Sequence, residues 1–168
     1  MSDASALGRL LLVTGEVGVD PHPVARAVAA RLDRAVHVDL EALQQVVVSG
    51  AVTTPAHPAD PVVPDPAVVE QVFLRWLAGI AVGETYQRAG FDAVLSERVS
   101  GELLDDLLDF VDPAPVHLVV LQEQASTTGA ARAGGPRGLA LAAGTGSSPQ
   151  LATLVLDRLD EALVDPGH

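Results

Sequence analysis

Leu11-Leu12-Val13-Thr14-Gly15-Glu16-Val17-Gly18-Val19-Asp20-Pro21-His22-Pro23-Val24-Ala25-Arg26 reads as a strand, a glycine turn and a helix in direct succession. Residues 9–14 form a nearly unbroken apolar run ending at Gly15, the pattern of a short strand buried on both faces of a parallel sheet. Over residues 23–32, Val24, Ala25, Val28, Ala29 and Leu32 fall on one helical face, and Pro23 suits the first turn, where its missing N–H is dispensable. The stretch therefore predicts a first, central strand with its covering helix.

The alternation continues outward. Residues 35–38 predict a second strand, with Asp39 placed to cap a helix over about 40–48. Residues 49–65 are proline-rich and read as a long loop, a lid or pocket rim. From 66 to about 89, Val68/Val69, Val72/Phe73, Trp76/Leu77 and Ile80/Ala81 recur every four residues and predict the clearest helix, stopped by Gly90. Residues 91–95 predict a third strand. Residues 101–110 predict an amphipathic helix whose aspartates form a solvated face. Strands follow at 116–121 and 139–142, with a weak helical segment at 122–132, a turn at 134–138, a Gly/Ser loop at 144–148 and a last helix over about 149–163. Strands and helices alternating at these lengths predict one α/β domain over residues 1–168, its parallel sheet covered on both faces.

Composition removes several function classes. With no cysteine there is no disulfide framework, thiolate metal site or cysteine nucleophile, and with ten basic residues that are all arginine there is no Schiff-base or phosphate-binding lysine. A formal net charge of −12 repels polyanions, so nucleic acid is not an expected partner. The N-terminus carries no signal-like pattern and no apolar run reaches the ~20 residues of a membrane span, so the expectation is a cytoplasmic protein without membrane attachment.

In sheets of this kind ligands bind beyond the carboxyl ends of the strands, which directs residues 15–22, Asp39 and 96–98 towards one crevice. The run from Leu11 to Arg26, then Val36-His37-Val38-Asp39, Ala89-Gly90-Phe91-Asp92-Ala93-Val94-Leu95-Ser96-Glu97 and Pro115-Val116-His117-Leu118-Val119-Val120-Leu121, resembles in order and spacing the chloramphenicol-phosphotransferase and zeta-toxin-like kinases over most of the chain. The resemblance implies a P-loop NTPase-like three-layer sandwich with a parallel sheet of roughly five strands. A P-loop requires G-x-x-x-x-G-K-[ST], in which backbone amides and lysine hold phosphate and the hydroxyl holds Mg²⁺. Aligned on that pattern, Gly15 is kept and Gly18 matches an extra glycine common in these kinases, but Asp20 stands at the second glycine, Pro21 at the lysine and His22 at the hydroxyl. Asp20 brings negative charge towards the anion, Pro21 removes a cation and a donor, and neutral imidazole is a poor Mg²⁺ ligand. The arginine-bearing lid that such kinases carry after the fourth strand is cut down to residues 124–138, with Arg132 and Arg137 as remnants.

The acceptor side is better kept. In the resembling kinases an acid after the second strand is the base for the acceptor hydroxyl, and Asp39 matches it; Glu97 matches an acid ending the third strand, and Arg98 offers a cation. Read without the resemblance, Asp39 is a helix cap, and Glu97 and Arg98 form a surface ion pair. His22 is either an acid/base or ligand contact at the crevice mouth, or a residue released from phosphate duty. His37 and His117 read as packed strand residues, no two histidines have helical i, i+4 spacing, and neither metal nor cofactor is expected. The leading expectation is a kinase-like domain that has lost conventional ATP binding and keeps a small-molecule crevice, acting as a binding or complex-forming protein, with a protein partner or second copy. The alternatives are an ATP-independent lyase, isomerase, cyclase or hydrolase using His22, Asp39 and Glu97, and a phosphotransferase whose nucleotide site rests on Arg98, Arg132 and Arg137.

Overall fold

The computed structural model describes residues 7–16, 18–52, 65–111, 114–123 and 138–164. β1 (Leu10–Gly15), buried at every position, lies at the centre of the sheet. It pairs in parallel with β3 (Asp92–Glu97) on one side and β4 (Val116–Gln122) on the other. β2 (Ala35–Asp39) and β5 (Leu139–Ala142) complete the parallel order β2-β3-β1-β4-β5, and β6 (Leu163–Val164) adds an antiparallel pairing at the start of β4.

Because side chains alternate along a strand, β1 supplies both cores. Leu11 and Val13 pack with Val94, Val119 and Leu121 under α1 (His22–Ala29) and α4 (Ser148–Asp157). Leu10 and Leu12 pack with Ala93, Leu95 and Leu118 under α2 (Pro66–Arg88) and α3 (Glu102–Val111). The result is the expected three-layer α/β arrangement, in which the turn from Gly15 to His22 joins the central strand to a helix.

α2 begins where Asp65 accepts a hydrogen bond from the Ala67 N–H at 2.9 Å, with Pro66 in the first turn. Glycine at position 79 brings it close to the layer beneath, since a Cβ there would lie 1.9 Å from Leu40 Cδ2. Trp76, Phe73 and Phe110 form a ring cluster with centroids 5.3–6.3 Å apart that joins α2 to α3. By length and composition α2 is long and apolar enough to cross a membrane, which the sequence reading did not anticipate. Its buried row, Trp76, Gly79, Ile80 and Gly83, seats one face of it on the sheet, with 22% of the apolar span buried.

Several expected boundaries shift. Instead of a helix over 40–48 there is a 3₁₀ segment, Ala42–Val46, none of whose residues is buried. Leu43, half-buried against the core, is its one anchoring apolar residue, and the exposed β-branched run that follows sustains no further helical turns. The last helix stops at Asp157, and Leu159–Ala162 continue as a 3₁₀ turn that buries Leu159 and Ala162 before β6. β3 runs on to Glu97 and β4 to Gln122. The weak helical segment from residue 124 on, the turn at 134–137 with Arg132 and Arg137, and residues 53–64 of the proline-rich loop lie outside the described residues.

Gly138, entering β5 at φ +81°, would place a Cβ 2.4 Å from the Leu118 carbonyl oxygen, whereas Gly18, at φ +89°, faces open space. Gly138→Ala, which adds a backbone clash to an unfavourable conformation, is expected to cost about 2–4 kcal/mol, and Gly18→Ala about 1 kcal/mol. Urea unfolding of the two variants measures the difference; equal losses would mean that the β4–β5 approach is looser than described.

Candidate functional site

The carboxyl ends of β1, β2 and β3 bring His22, Ser96, His37, Asp39 and Glu41 together. His22 is the first residue of α1 and reaches Ser96 Oγ with its Nδ1 at 2.8 Å, and His37 Nε2 reaches the same hydroxyl at 2.8 Å. Ser96 is fully buried. A serine hydroxyl has one proton to donate. At most one of the two imidazoles can therefore accept from Ser96, and the other must donate to it.

The surrounding charges decide which is which. His22 Nδ1 lies 3.5 Å from Asp39 Oδ1, and its Nε2 lies 3.5 Å from Glu41 Oε2 and 3.9 Å from Asp20 Oδ1. The Glu41 carboxylate most of all, then Asp39 and Asp20, hold the His22 imidazole above its ordinary pKa against the opposing effect of burial. His37 is pushed down by burial, only partly offset by Asp39. These directions favour His22 as the donor through Nδ1–H and His37 as the acceptor of the Ser96 proton at Nε2. His22 Nε2 is itself buried without a well-formed hydrogen bond, so its contact with Glu41 is ionic.

Each expected site residue has a definite place. Asp39 Oδ1 accepts from the Ala42 N–H at 3.0 Å, so it caps the 3₁₀ turn as well as facing His22. Arg98 does not pair with its neighbour Glu97. Its Nε donates to Glu41 Oε1 at 2.8 Å, with a second branch to Oε2. Burial pushes the Glu41 carboxyl up, but Arg98 and His22 more than offset it and hold it well below the usual carboxylate range. Glu97, 1% exposed, points to the opposite face of β3, where it accepts from Arg75 Nη2 at 3.0 Å, Arg75 Nε at 3.2 Å and Trp76 Nε1 at 2.8 Å. Burial raises the Glu97 carboxyl despite Arg75. The ion pair assigned to the surface is thus interior, with a different partner.

The positions that the resemblance aligns with a phosphate loop are engaged within the chain. Gly15 sits where a Cβ would meet the Val19 carbonyl oxygen at 2.5 Å, so the loop closes tightly on itself. The Glu16 N–H donates to the Leu121 carbonyl and the Val19 N–H to that of Glu16. At the start of α1, Asp20 Oδ1 accepts from the His22 N–H at 3.0 Å. That amide stands at a helix N-terminus, where anions are ordinarily bound. Among the described residues no group of three or more His, Asp or Glu is disposed to hold a metal ion.

Sequence reasoning missed Glu41 and Arg75 and took His37 for a packing residue. Glu41 carried a signal, since Asp39-Leu40-Glu41 puts a second acid just beyond the strand end. Arg75 carried one too, as a charge beside Trp76 in an otherwise apolar helix. His22–Ser96 with Glu41 has the members of a hydrolytic triad, but a fully buried hydroxyl shared by two imidazoles has no path to a substrate carbonyl.

No protein-family description matches the chain, and no curated protein matches it in sequence. Among solved structures, the chain is similar to the tunicamycin resistance protein of Deinococcus radiodurans, with 14% identity and a TM-score of 0.54, over 94% of this chain and 99% of that one. At that identity the likeness carries the fold alone, a three-layer α/β sandwich of the P-loop NTPase-like type.

Histidine titration by NMR should give His22 a pKa above the ordinary ~6.5 and His37 one below it. The raised group stabilises the fold below ~6.5 and loses its contribution as pH rises through its folded pKa; the depressed one costs stability as pH falls through ~6.5. Two unperturbed titrations would contradict the Ser96 bridge. Separately, Arg75→Met leaves Glu97 buried and unpaired, at a cost of about 3–5 kcal/mol in urea unfolding, whereas Arg98→Met, at an exposed pair, should cost about 1 kcal/mol or less.

Proposed function

We propose that this chain is a kinase-like domain that has given up conventional ATP binding and phosphotransfer and keeps a crevice for a small molecule. The observation that carries the reading is the Asp20 carboxylate on the His22 N–H. It occupies from within the helix end on which a nucleotide phosphate would rest, and a phosphate there would face like charge. Pro21 and Pro23 contribute no N–H to the loop, and no lysine is present to replace them.

The same charges indicate what the crevice accepts. Asp20, Asp39 and Glu41 outnumber the cations His22 and Arg98, and Arg98 is already paired with Glu41. A neutral or cationic small molecule suits this field better than a polyanion. A purely binding role needs no more than this.

A second reading has its own support in the protonated His22. An imidazolium held between carboxylates at the mouth of a crevice is equipped to act as a general acid, with Asp39 beside it as the complementary base. In this reading the protein is an ATP-independent enzyme, and Glu97, committed to Arg75 and Trp76, is a positioning residue. His22→Ala and Asp39→Ala separate the two. Loss of turnover with retained folding marks an enzyme, while intact ligand or partner binding by both variants marks a binding protein.

Isothermal titration with ATP and GTP, with and without Mg²⁺, is expected to show binding weaker than about 1 mM, worth less than about 4 kcal/mol. The triple variant Asp20→Gly, Pro21→Lys, His22→Ser, which rebuilds G-x-x-x-x-G-K-S, should gain at least about tenfold in nucleotide affinity. Micromolar, Mg²⁺-dependent binding by the unaltered protein would sink the proposal and bring forward a phosphotransferase that relies on Arg98, Arg132 and Arg137.

A further inference from the structure

Two hydrogen bonds of 2.8 Å converge on the Ser96 hydroxyl from different elements, His22 Nδ1 of α1 and His37 Nε2 of β2, and the hydroxyl they share is fully buried. At the other nitrogen of His22, Nε2, the nearest carboxylate is that of Glu41 at 3.5 Å. Glu41, His22, Ser96 and His37 therefore form one chain of proton-carrying groups, which starts after the edge strand β2, passes through α1 and β3, and returns to β2. A serine that only tied a helix to the sheet would need one partner. A hydroxyl with an imidazole nitrogen on either side is able to take a proton from one and pass its own to the other.

We propose that Ser96 is a proton relay between His22 and His37, which makes His37 the second proton-holding residue of the crevice. The step begins with His22 in its cationic form. Its Nδ1–H bond breaks as an O–H bond forms on Ser96, and the original Ser96 O–H bond breaks as an N–H bond forms at His37 Nε2. The hydroxyl ends with one proton, as it began, and the positive charge has passed from His22 to His37. His22 is left neutral with its proton at Nε2, on the side of Glu41. Both hydrogen bonds survive with their directions reversed, Ser96 now donating to His22 Nδ1 and His37 Nε2 donating to Ser96. Neither state orphans the buried hydroxyl, so the transfer meets no desolvation penalty there.

The groups around each end set where the charge rests. His22 faces Asp39 of β2, Glu41 of the following turn and Asp20 of the loop before α1, and Glu41 is itself held by Arg98. His37 faces Asp39 of its own strand, with His22 and Arg26 of α1 as opposing positive groups. With three carboxylates at one end and one at the other, His22 is the resting seat of the proton and His37 the transient one. The proton crosses when the field at His22 weakens, as when a cation approaches Asp20 and Glu41, or when a neutral His22 takes up a further proton at Nε2. His22 thereby accepts a proton at one nitrogen and passes one on from the other, without itself retaining the charge. His37 acts through His22 and is a positioning residue. Its use in turnover rests on the acid/base reading of the crevice, whereas the relay itself is measured without a substrate, so the two fail separately.

Long-range proton–nitrogen NMR of the full chain, isotopically labelled at histidine and assigned with His22→Gln and His37→Gln, tests the relay. Where His22 is charged and His37 neutral, His37 is expected as the Nδ1–H tautomer with a bare Nε2, because the hydrogen bond made by one ring nitrogen fixes the proton on the other. At the midpoint of its titration, His37 should exchange its proton at least about tenfold faster in the unaltered protein than in Ser96→Ala, a near-isosteric change that removes only the hydroxyl. A bridge with a merely structural role would leave that rate unmoved. Two results would overturn the proposal: a neutral His37 found as the Nε2–H tautomer, or equal exchange rates with and without the Ser96 hydroxyl. If Ser96→Ala does not fold, His22→Gln interrupts the same relay at its outer end and supplies the rate comparison. Both signatures in a protein that shows no turnover would sink the acid/base reading while supporting the relay.

Discussion

The arrangement of the crevice depends on one buried ion pair outside it. Glu97 closes β3 by binding Arg75 and Trp76 of α2, and Arg75 also holds the Gln44 side chain of the turn after β2. Ser96, one residue earlier, points to the other face of the sheet because side chains alternate along a strand, and it binds His22 of α1 and His37 of β2. Two consecutive residues thus fasten helices on opposite faces to the same strand end. An ion pair in the interior adds little net stability over an apolar substitute, but one partner cannot be removed cheaply. Its effect here is positional: the end of β3 has one seat, and the imidazole cluster inherits it.

The backbone donors of the turn between β1 and α1 are engaged together. A helix end with free amides attracts anions. Here the amide of His22 is taken by Asp20, those of Glu16 and Val19 are turned to carbonyls, and proline stands where further donors would be. The His22 side chain meets Ser96, Asp39 and Glu41.

Much of the fold was legible because periodicity is a strong signal where elements are buried. The apolar run of β1, the four-residue recurrence of α2 and the leucine face of α3 all report direct packing against the sheet, and each lies where the sequence indicated. The failures lie where burial is absent or shared. The 40–48 segment buries only Leu40 fully and Leu43 in part, with Val46, Val47 and Val48 exposed, and the end of the chain divides its burial among α4, a 3₁₀ turn and β6. In the site, His22 and Asp39 were legible from their position after strands. Glu41, Arg75 and the role of His37 depend on contacts across 22 to 59 residues of sequence, which local pattern does not carry.

The Ser96 hydroxyl imposes a rule on the cluster that no member imposes alone. With a single proton, it can serve one imidazole as acceptor and the other as donor. A charged His22 fits this, since its Nδ1–H donates and leaves the Ser96 proton for His37 Nε2. With His37 as the acceptor, the bridge needs a proton on His22 Nδ1 and a free lone pair on His37 Nε2. A neutral His22 meets this as its Nδ1–H tautomer, and a cationic His22 keeps that N–H and adds an Nε2–H on the side of Glu41. The carboxylates around His22 and the burial of His37 act together on one proton arrangement.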